Sequence, residues 1–292
     1  MRDFIIDCLR AIVNLPLYGL IGRKRVRILL YHKVCDLPEG KYHDHAVPPA
    51  SFARQMEYLF RNRFNVITLE QFVECKEKKI KPPPKSVIIT FDDGYMENYL
   101  NALPILERYD FKATFFITSD YIDSEEPFRW LDWDELLLSQ FRENKADWLP
   151  LSRQMLLAMS DRGFSIGSHT KSHPALTEVE ESVAIEEVKG SKQRLEEILS
   201  KPVTSFSYPY GELNETVKSL VKAAGYKVAV GTMMGPANTI KSDFFELSRV
   251  AFVRRDSFLR FKNKVRGAYD WERYRLGFLQ LLRRTFSIRK EG

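Results

Sequence analysis

Apolar and polar positions along this 292-residue chain follow two alternating rhythms. Short runs rich in β-branched and aromatic residues occupy 28–31 (ILLY), 64–68 (FNVIT), 87–91 (VIITF), 112–117 (KATFFI), 163–167 (GFSIG), 203–208, 226–231 and 247–252. Runs of this length without clean alternation read as strands buried on both faces. Between them, apolar residues recur every three or four positions and predict helices over 51–62, 96–109, 133–143, 151–162 and 212–224. The clearest helix comes after LTEVEE. There Thr177 and Glu180 have the spacing of a capping box, and Val179, Val183, Val188, Leu195 and Leu199 approximate one face. Strands alternating with helices imply parallel strands joined by crossover helices. The predicted α/β fold is a single, irregular (β/α) barrel of seven to eight parallel strands over 28–266. In such barrels chemistry gathers at the C-terminal strand ends, so the residues just after each apolar run carry the functional question.

Composition adds that 44% hydrophobic and 13% aromatic residues suffice for a large core, which excludes a disordered chain. Lys and Arg outnumber Asp and Glu by 45 to 39, mostly through GRKRVR at 22–27 and RRTFSIRK at 283–290. No stripe of basic and aromatic residues points to a nucleic-acid partner. Cys8, Cys35 and Cys75 are odd in number and scattered, which favours a reducing compartment. In the segment 1–27, apolar residues 5, 9, 12 and 13 share one helical face up to Pro16. Asp7 and Arg10 interrupt it, leaving too short a run to span a bilayer and a poor secretory signal. This segment and the basic stretch 267–292 are read as flanks, with either peripheral contact to anionic membrane or docking on the protein body. The expected location is the cytoplasm or the cytoplasmic face of the membrane.

Two stretches directly after predicted strands concentrate chemistry. VIITFDDGY runs a buried strand into Asp92 and Asp93, and SHTKSHPAL carries His169 and His173, two of only five histidines. Either alone is ambiguous, since Asp-Asp-Gly also makes an ordinary turn. Together, two histidines and one carboxylate form a set that binds zinc and leaves a coordination position open. SYPYG at 207–211 and His32 in LLYHKV also lie at strand ends, whereas His43 and His45 sit in a polar loop, KYHDHAVPP, read as solvated rather than as a second metal contact.

These residues resemble the polysaccharide deacetylases of the NodB-homology type, carbohydrate esterase family 4. TFDDGY at 90–95 resembles the family's first motif and HTKSH at 169–173 matches its second, H-[ST]-x-x-H. The resemblance implies Asp92 as catalytic base, with Asp93, His169 and His173 as ligands of a divalent metal, zinc by expectation. SYPYG resembles R-x-P-Y-G, which gives the Tyr210 backbone N–H an oxyanion-hole role and puts Pro209 on the substrate side. Ser207 stands where that motif has arginine. Arg249, on the predicted last strand, is read as a substrate-side residue that either stands in for the missing arginine or makes a structural ion pair. No histidine comes after His173, so the general acid falls to His32, as in permuted members whose last motif has moved to the front. Strands one and eight are neighbours in a closed barrel, which keeps such a site intact. Trp130 and Trp133 are candidates for stacking on sugar rings, a core role being equally open for Trp133. The implied substrate is an N-acetylated glycan, a cell-surface polysaccharide of N-acetylhexosamine or its lipid-linked precursor. The alternatives are an O-acetyl esterase and a glycan-binding homologue with weak turnover.

Overall fold

The computed structural model describes residues 25–38, 43–131, 135–232, 235 and 237–270. Its strands are β1 (Arg27–Tyr31), β2 (Asn65–Val66), β3 (Ser86–Phe91), β4 (Thr114–Ile117), β5 (Ser165–Ser168), β6 (Ser205–Ser207), β7 (Val228–Val230) and β8 (Arg249–Ala251). They pair in parallel in the order β7-β6-β5-β4-β3-β1-β8, with β2 beside the start of β3. The two ends of that row meet where Val230 bridges Leu247, just ahead of β8, and the Gly231 N–H donates to the Leu247 carbonyl. Seven staves therefore make a nearly closed barrel, and β1 lies between β3 and β8, as the permuted arrangement requires.

Both faces of these strands are buried because each faces the barrel interior on one side and helices on the other. β1 and β3 are buried throughout, and their residues alternate between two clusters. Ile28, Ile88, Phe116, Val228 and Val230 form one. Leu29, Tyr31, Ile89, Phe91, Phe115 and Ile117 join the layer under the helices, with Phe52 and Met56 of α1 (Pro49–Arg61). The period of two continues past Ile88 through Thr90 to Asp92, so the strand's own pleat carries that carboxylate to the inner mouth of the barrel.

The remaining helices are α2 (Leu69–Glu77), α3 (Leu103–Glu107), α4 (Glu135–Glu143), α5 (Arg153–Asp161), α6 (Glu181–Leu199), α7 (Glu215–Ala223) and α8 (Phe258–Arg266). Two of them, α2 and α8, are not anticipated by the apolar periodicity. The α2 start carries a complete capping box: the Thr68 hydroxyl accepts from the Gln71 N–H while the Gln71 side chain accepts from the Thr68 N–H. The box expected at Thr177 does not form. Helix α6 begins at Glu181, the Thr177 hydroxyl donates to Glu212 instead, and Val183 is 45% exposed. The buried row is Ala184, Val188, Ser191, Leu195 and Leu199. The predicted 96–109 helix is a π-helical turn over Asn98–Ala102 running into α3, an adjustment that fits Pro104, which has no N–H to give. The N-terminal amphipathic stretch 1–24, Trp133 and the basic 271–292 lie outside the described residues. Among the described residues no helix is long and apolar enough to cross a membrane.

Gly167 of β5 lets Phe116 fill the interior, since a Cβ there would stand 2.5 Å from the Phe116 ring and 2.7 Å from Ser205 Oγ. Gly167→Ala is expected to cost about 1–3 kcal/mol through overpacking. Urea unfolding checks this: the midpoint falls, and an unchanged midpoint would contradict the tight packing described.

Candidate active site and metal centre

Asp92 and Asp93 leave β3 in opposite directions. Asp92, 1% exposed, receives both arms of the Arg249 guanidinium, Nη1 to Oδ1 at 2.7 Å and Nη2 to Oδ2 at 2.6 Å. The Ser207 hydroxyl donates to Asp92 Oδ2 at 3.1 Å and accepts from Arg249 Nη2 at 2.9 Å. The other guanidinium donors reach the Gly231 carbonyl and Thr90 Oγ1, so Arg249 is saturated and 0% exposed. This corrects its placement on the substrate side: a side chain enclosed in this way meets the carboxylate and not the glycan. Burial works to raise the Asp92 carboxyl, but Arg249 and then His169 outweigh it and hold the group below its ordinary range, ionised at neutral pH.

Asp93 has a left-handed backbone (φ 74°), which breaks the strand's alternation and turns its carboxylate toward the histidines. Its Oδ1 lies 3.5 Å from His169 Nε2 and 3.6 Å from His173 Nε2. Two donors each roughly 2.1 Å from a tetrahedral ion stand about 3.4 Å apart, so these separations suit a shared metal ion. The three ligand atoms lie within 4.8 Å of one another, and among the described residues they form the one such cluster. His169 Nδ1 pairs with the Ser207 carbonyl at 2.8 Å, which fixes the ring and leaves Nε2 for the ion. His173 has no such partner, its Nδ1 being buried without a hydrogen bond, and its ring is held by stacking on Trp130 at 4.4 Å. Burial and then His169 push the His173 imidazole down to about 3, so it is neutral, the form that ligates.

The turn that carries both histidines is held from behind by a residue that no motif announces. Glu187 of α6 accepts from the Lys171 and Ser172 N–H groups at 2.8 and 2.9 Å and from the Ser172 hydroxyl at 2.6 Å. The Thr170 hydroxyl accepts from the His173 N–H at 3.0 Å. Thr170 and His173 both have positive φ, 66° and 69°, so the turn is strained and depends on these bonds.

A cavity of about 430 Å³ opens over this cluster, walled by His32, Lys33, His45, Tyr95, Trp130, Leu131, Tyr210 and Thr232 as well as by the two aspartates and two histidines. His32 reaches it from the end of β1, its carbonyl accepting from the Asn98 side chain at 3.0 Å. Trp130 lines it beside His173, and Tyr210 meets that ring edge-on with centroids 4.8 Å apart. Tyr210 has a left-handed backbone (φ 58°), and Gly211 after it admits no Cβ, which would fall 1.8 Å from Thr232 Oγ1. Pro209 is buried and does not line the cavity, which corrects its expected place on the substrate side. His45 is exposed, as a solvated loop implies, and it lines the cavity as well. Beneath His32 lies a buried charge network without a sequence signature. Lys33 donates to the Asp147 carbonyl and sits 3.7 Å from the Tyr95 ring centroid, while burial pushes the Glu97 carboxyl up to about 8. This network ties the end of β1 to the β4–β5 insertion that supplies Trp130.

A nearly closed seven-stave barrel with both motifs at one mouth is the architecture of the carbohydrate esterase 4 deacetylases. The chain belongs to the polysaccharide deacetylase family, whose profile matches residues 79–229. A curated relative, the poly-beta-1,6-N-acetyl-D-glucosamine N-deacetylase of Staphylococcus epidermidis, is 28% identical over 224 residues, covering 74% of this chain and 70% of that protein. The solved structure of a polysaccharide deacetylase from Bacillus cereus is 27% identical with a TM-score of 0.67, covering 83% of this chain and 69% of that one. A de-N-acetylase from Aggregatibacter actinomycetemcomitans, at 20% identity and a TM-score of 0.69, covers 82% of this chain and 99% of that one and shares the fold.

Glu187→Gln weakens the support of the histidine turn without touching a ligand. Affinity for a divalent metal is expected to fall about 10- to 100-fold, the usual effect of losing a bond that orients the ligands. Competition against a chromogenic chelator measures it, and an affinity equal to wild type would contradict the role given to Glu187.

Proposed function

We propose that this chain is a metal-dependent hydrolase that removes N-acetyl groups from N-acetylhexosamine residues of a cell-surface polysaccharide or its lipid-linked precursor. The observation that carries the reading is the division between neighbouring carboxylates. Asp92 is locked by Arg249 and Ser207, while Asp93 faces two histidines in the same cavity. The name of the Staphylococcus epidermidis relative supports the amide over the ester.

Amide hydrolysis needs an activated water, a stabilised oxyanion and a proton for the departing amine. A divalent ion held by Asp93, His169 and His173, zinc by its donor set, would polarise the acetyl carbonyl and acidify water, from a pKa of about 16 towards about 7. Asp92 takes the proton of the attacking water: it is ionised, and while Oδ2 already accepts from Arg249 and Ser207, Oδ1 accepts only from Arg249 and keeps a lone pair for that proton. The Tyr210 N–H is the donor assigned to the developing oxyanion, and the peptide that follows it is held by Thr232, whose hydroxyl donates to the Tyr210 carbonyl at 3.0 Å. His32 gives a proton to the nitrogen as the C–N bond breaks, leaving acetate and a free amine. Trp130 offers an apolar wall to the sugar while its face holds His173 in place.

Acetate release from N-acetylated and O-acetylated oligosaccharides, with zinc supplied, tests this directly. Wild type is expected to free acetate from the N-acetylated set, and Asp92→Asn to lose about a hundredfold or more in rate while keeping its metal. Release from O-acetylated substrates alone would turn the reading into an esterase, and release from neither would leave a glycan-binding homologue.

A further inference from the structure

We propose that His45 is a substrate-contact residue, hydrogen-bonding a ring hydroxyl of the hexosamine whose acetamido nitrogen is being released; this rests on the function proposed above. Four observations lead there. The ring lines the cavity that holds Asp92, Asp93 and the ligand histidines, although it comes from a short turn far from the motifs. That turn is tied down on both sides. The His45 carbonyl accepts from the Lys33 N–H at 3.4 Å, the Val47 N–H donates back to Lys33 at 2.9 Å, and the Asp44 carbonyl accepts from the Arg254 N–H at 3.0 Å. An ion pair from Arg255 to Asp44 at 3.1 Å adds a further link to the segment after β8. His45 is therefore presented by a braced backbone.

The ring also stands perpendicular to His32, with centroids 5.4 Å apart and an angle of 87°. A residue beside the proton donor is beside the departing nitrogen, and on a hexosamine that nitrogen is flanked by hydroxyl-bearing carbons. Finally, the charge environment favours the neutral imidazole. Burial and then His32 lower its proton affinity, Lys33 acts in the same direction, and Asp93 and Asp44 oppose. A neutral imidazole has one donor and one acceptor nitrogen, the complement of a hydroxyl that both accepts and donates. The turn thus supplies recognition of the sugar on the side where the amine leaves.

The test compares wild type with His45→Ala, His45→Phe and His45→Gln on an N-acetylhexosamine oligomer and on 4-nitrophenyl acetate, which has no sugar. Phe keeps an aromatic ring against His32 without polar atoms, and Gln restores a donor and an acceptor. KM for the oligomer is expected to rise about three- to tenfold in Ala and Phe, the fold-change of one lost hydrogen bond, with kcat within about twofold. Gln returns towards wild type, and 4-nitrophenyl acetate is hydrolysed equally by all four. A Phe variant that matches wild type on the oligomer, or an Ala variant that loses kcat equally on both substrates, would overturn the proposal, the latter because His45 would then act through His32. A wild type that frees no acetate from any N-acetylated oligomer removes the parent reading and this one together. An active wild type with indistinguishable variants removes this one alone.

Discussion

The buried pair of Asp92 and Arg249 is the constraint on which the site depends. Taking a carboxylate and a guanidinium out of water costs several kcal/mol for each ion, and only good geometry with every polar atom satisfied offsets it. Here the fork meets the carboxylate with both arms, and the remaining donors find Gly231, Thr90 and Ser207. Those partners sit on or just after β3, β6 and β7 and Arg249 itself on β8, so the pair can exist only when the barrel has closed. Losing one member would strand the other charge in an apolar interior, at about 3–5 kcal/mol. The Asp92 carboxylate and the closure of the fold are in this sense one interaction.

That lock dictates the backbone of the neighbouring residues. With Asp92 committed to the interior, Asp93 reaches the histidines only by a left-handed backbone at φ 74°, and the HTKSH turn takes two further left-handed residues to answer it. Such conformations cost of order 1–3 kcal/mol each and survive where surrounding bonds fix them. Glu187 supplies those bonds on the histidine side and Ile117 packs against Gly94 on the aspartate side. The Ser207 carbonyl, which orients His169, belongs to the same residue whose hydroxyl joins Arg249 to Asp92. Asp92 and the His169 ring are thus braced against one another through Ser207.

Much of this architecture is legible in the chain. Eight apolar runs anticipate the eight strands because parallel barrel strands are buried on both sides and need no polar alternation. The two motifs and His32 stand out because each comes directly after such a run. Local signals mislead where a tertiary partner outbids them: Thr177 bonds Glu212 rather than capping α6. The true capping box at Thr68 is hidden at the end of a predicted strand. Arg249 is legible as a stand-in for the missing arginine but not as an enclosed residue, since Asp92 lies 157 residues away and only closure brings them together. Lys33, Glu97 and Glu187 carry no signal, because a lone charged residue reads as solvated until the fold buries it. His45 is legible as a histidine, but not as a wall of the cavity.

Arg249 acts through shape as well as charge, taking the place that Ser207 leaves vacant in R-x-P-Y-G. Arg249→Lys keeps the charge and removes the fork, which a single ammonium cannot replace. Acetate release should then fall by at least about tenfold while the protein stays folded and takes up as much divalent metal as wild type. Undiminished turnover in folded, metal-loaded Arg249→Lys would contradict the central role given to this pair.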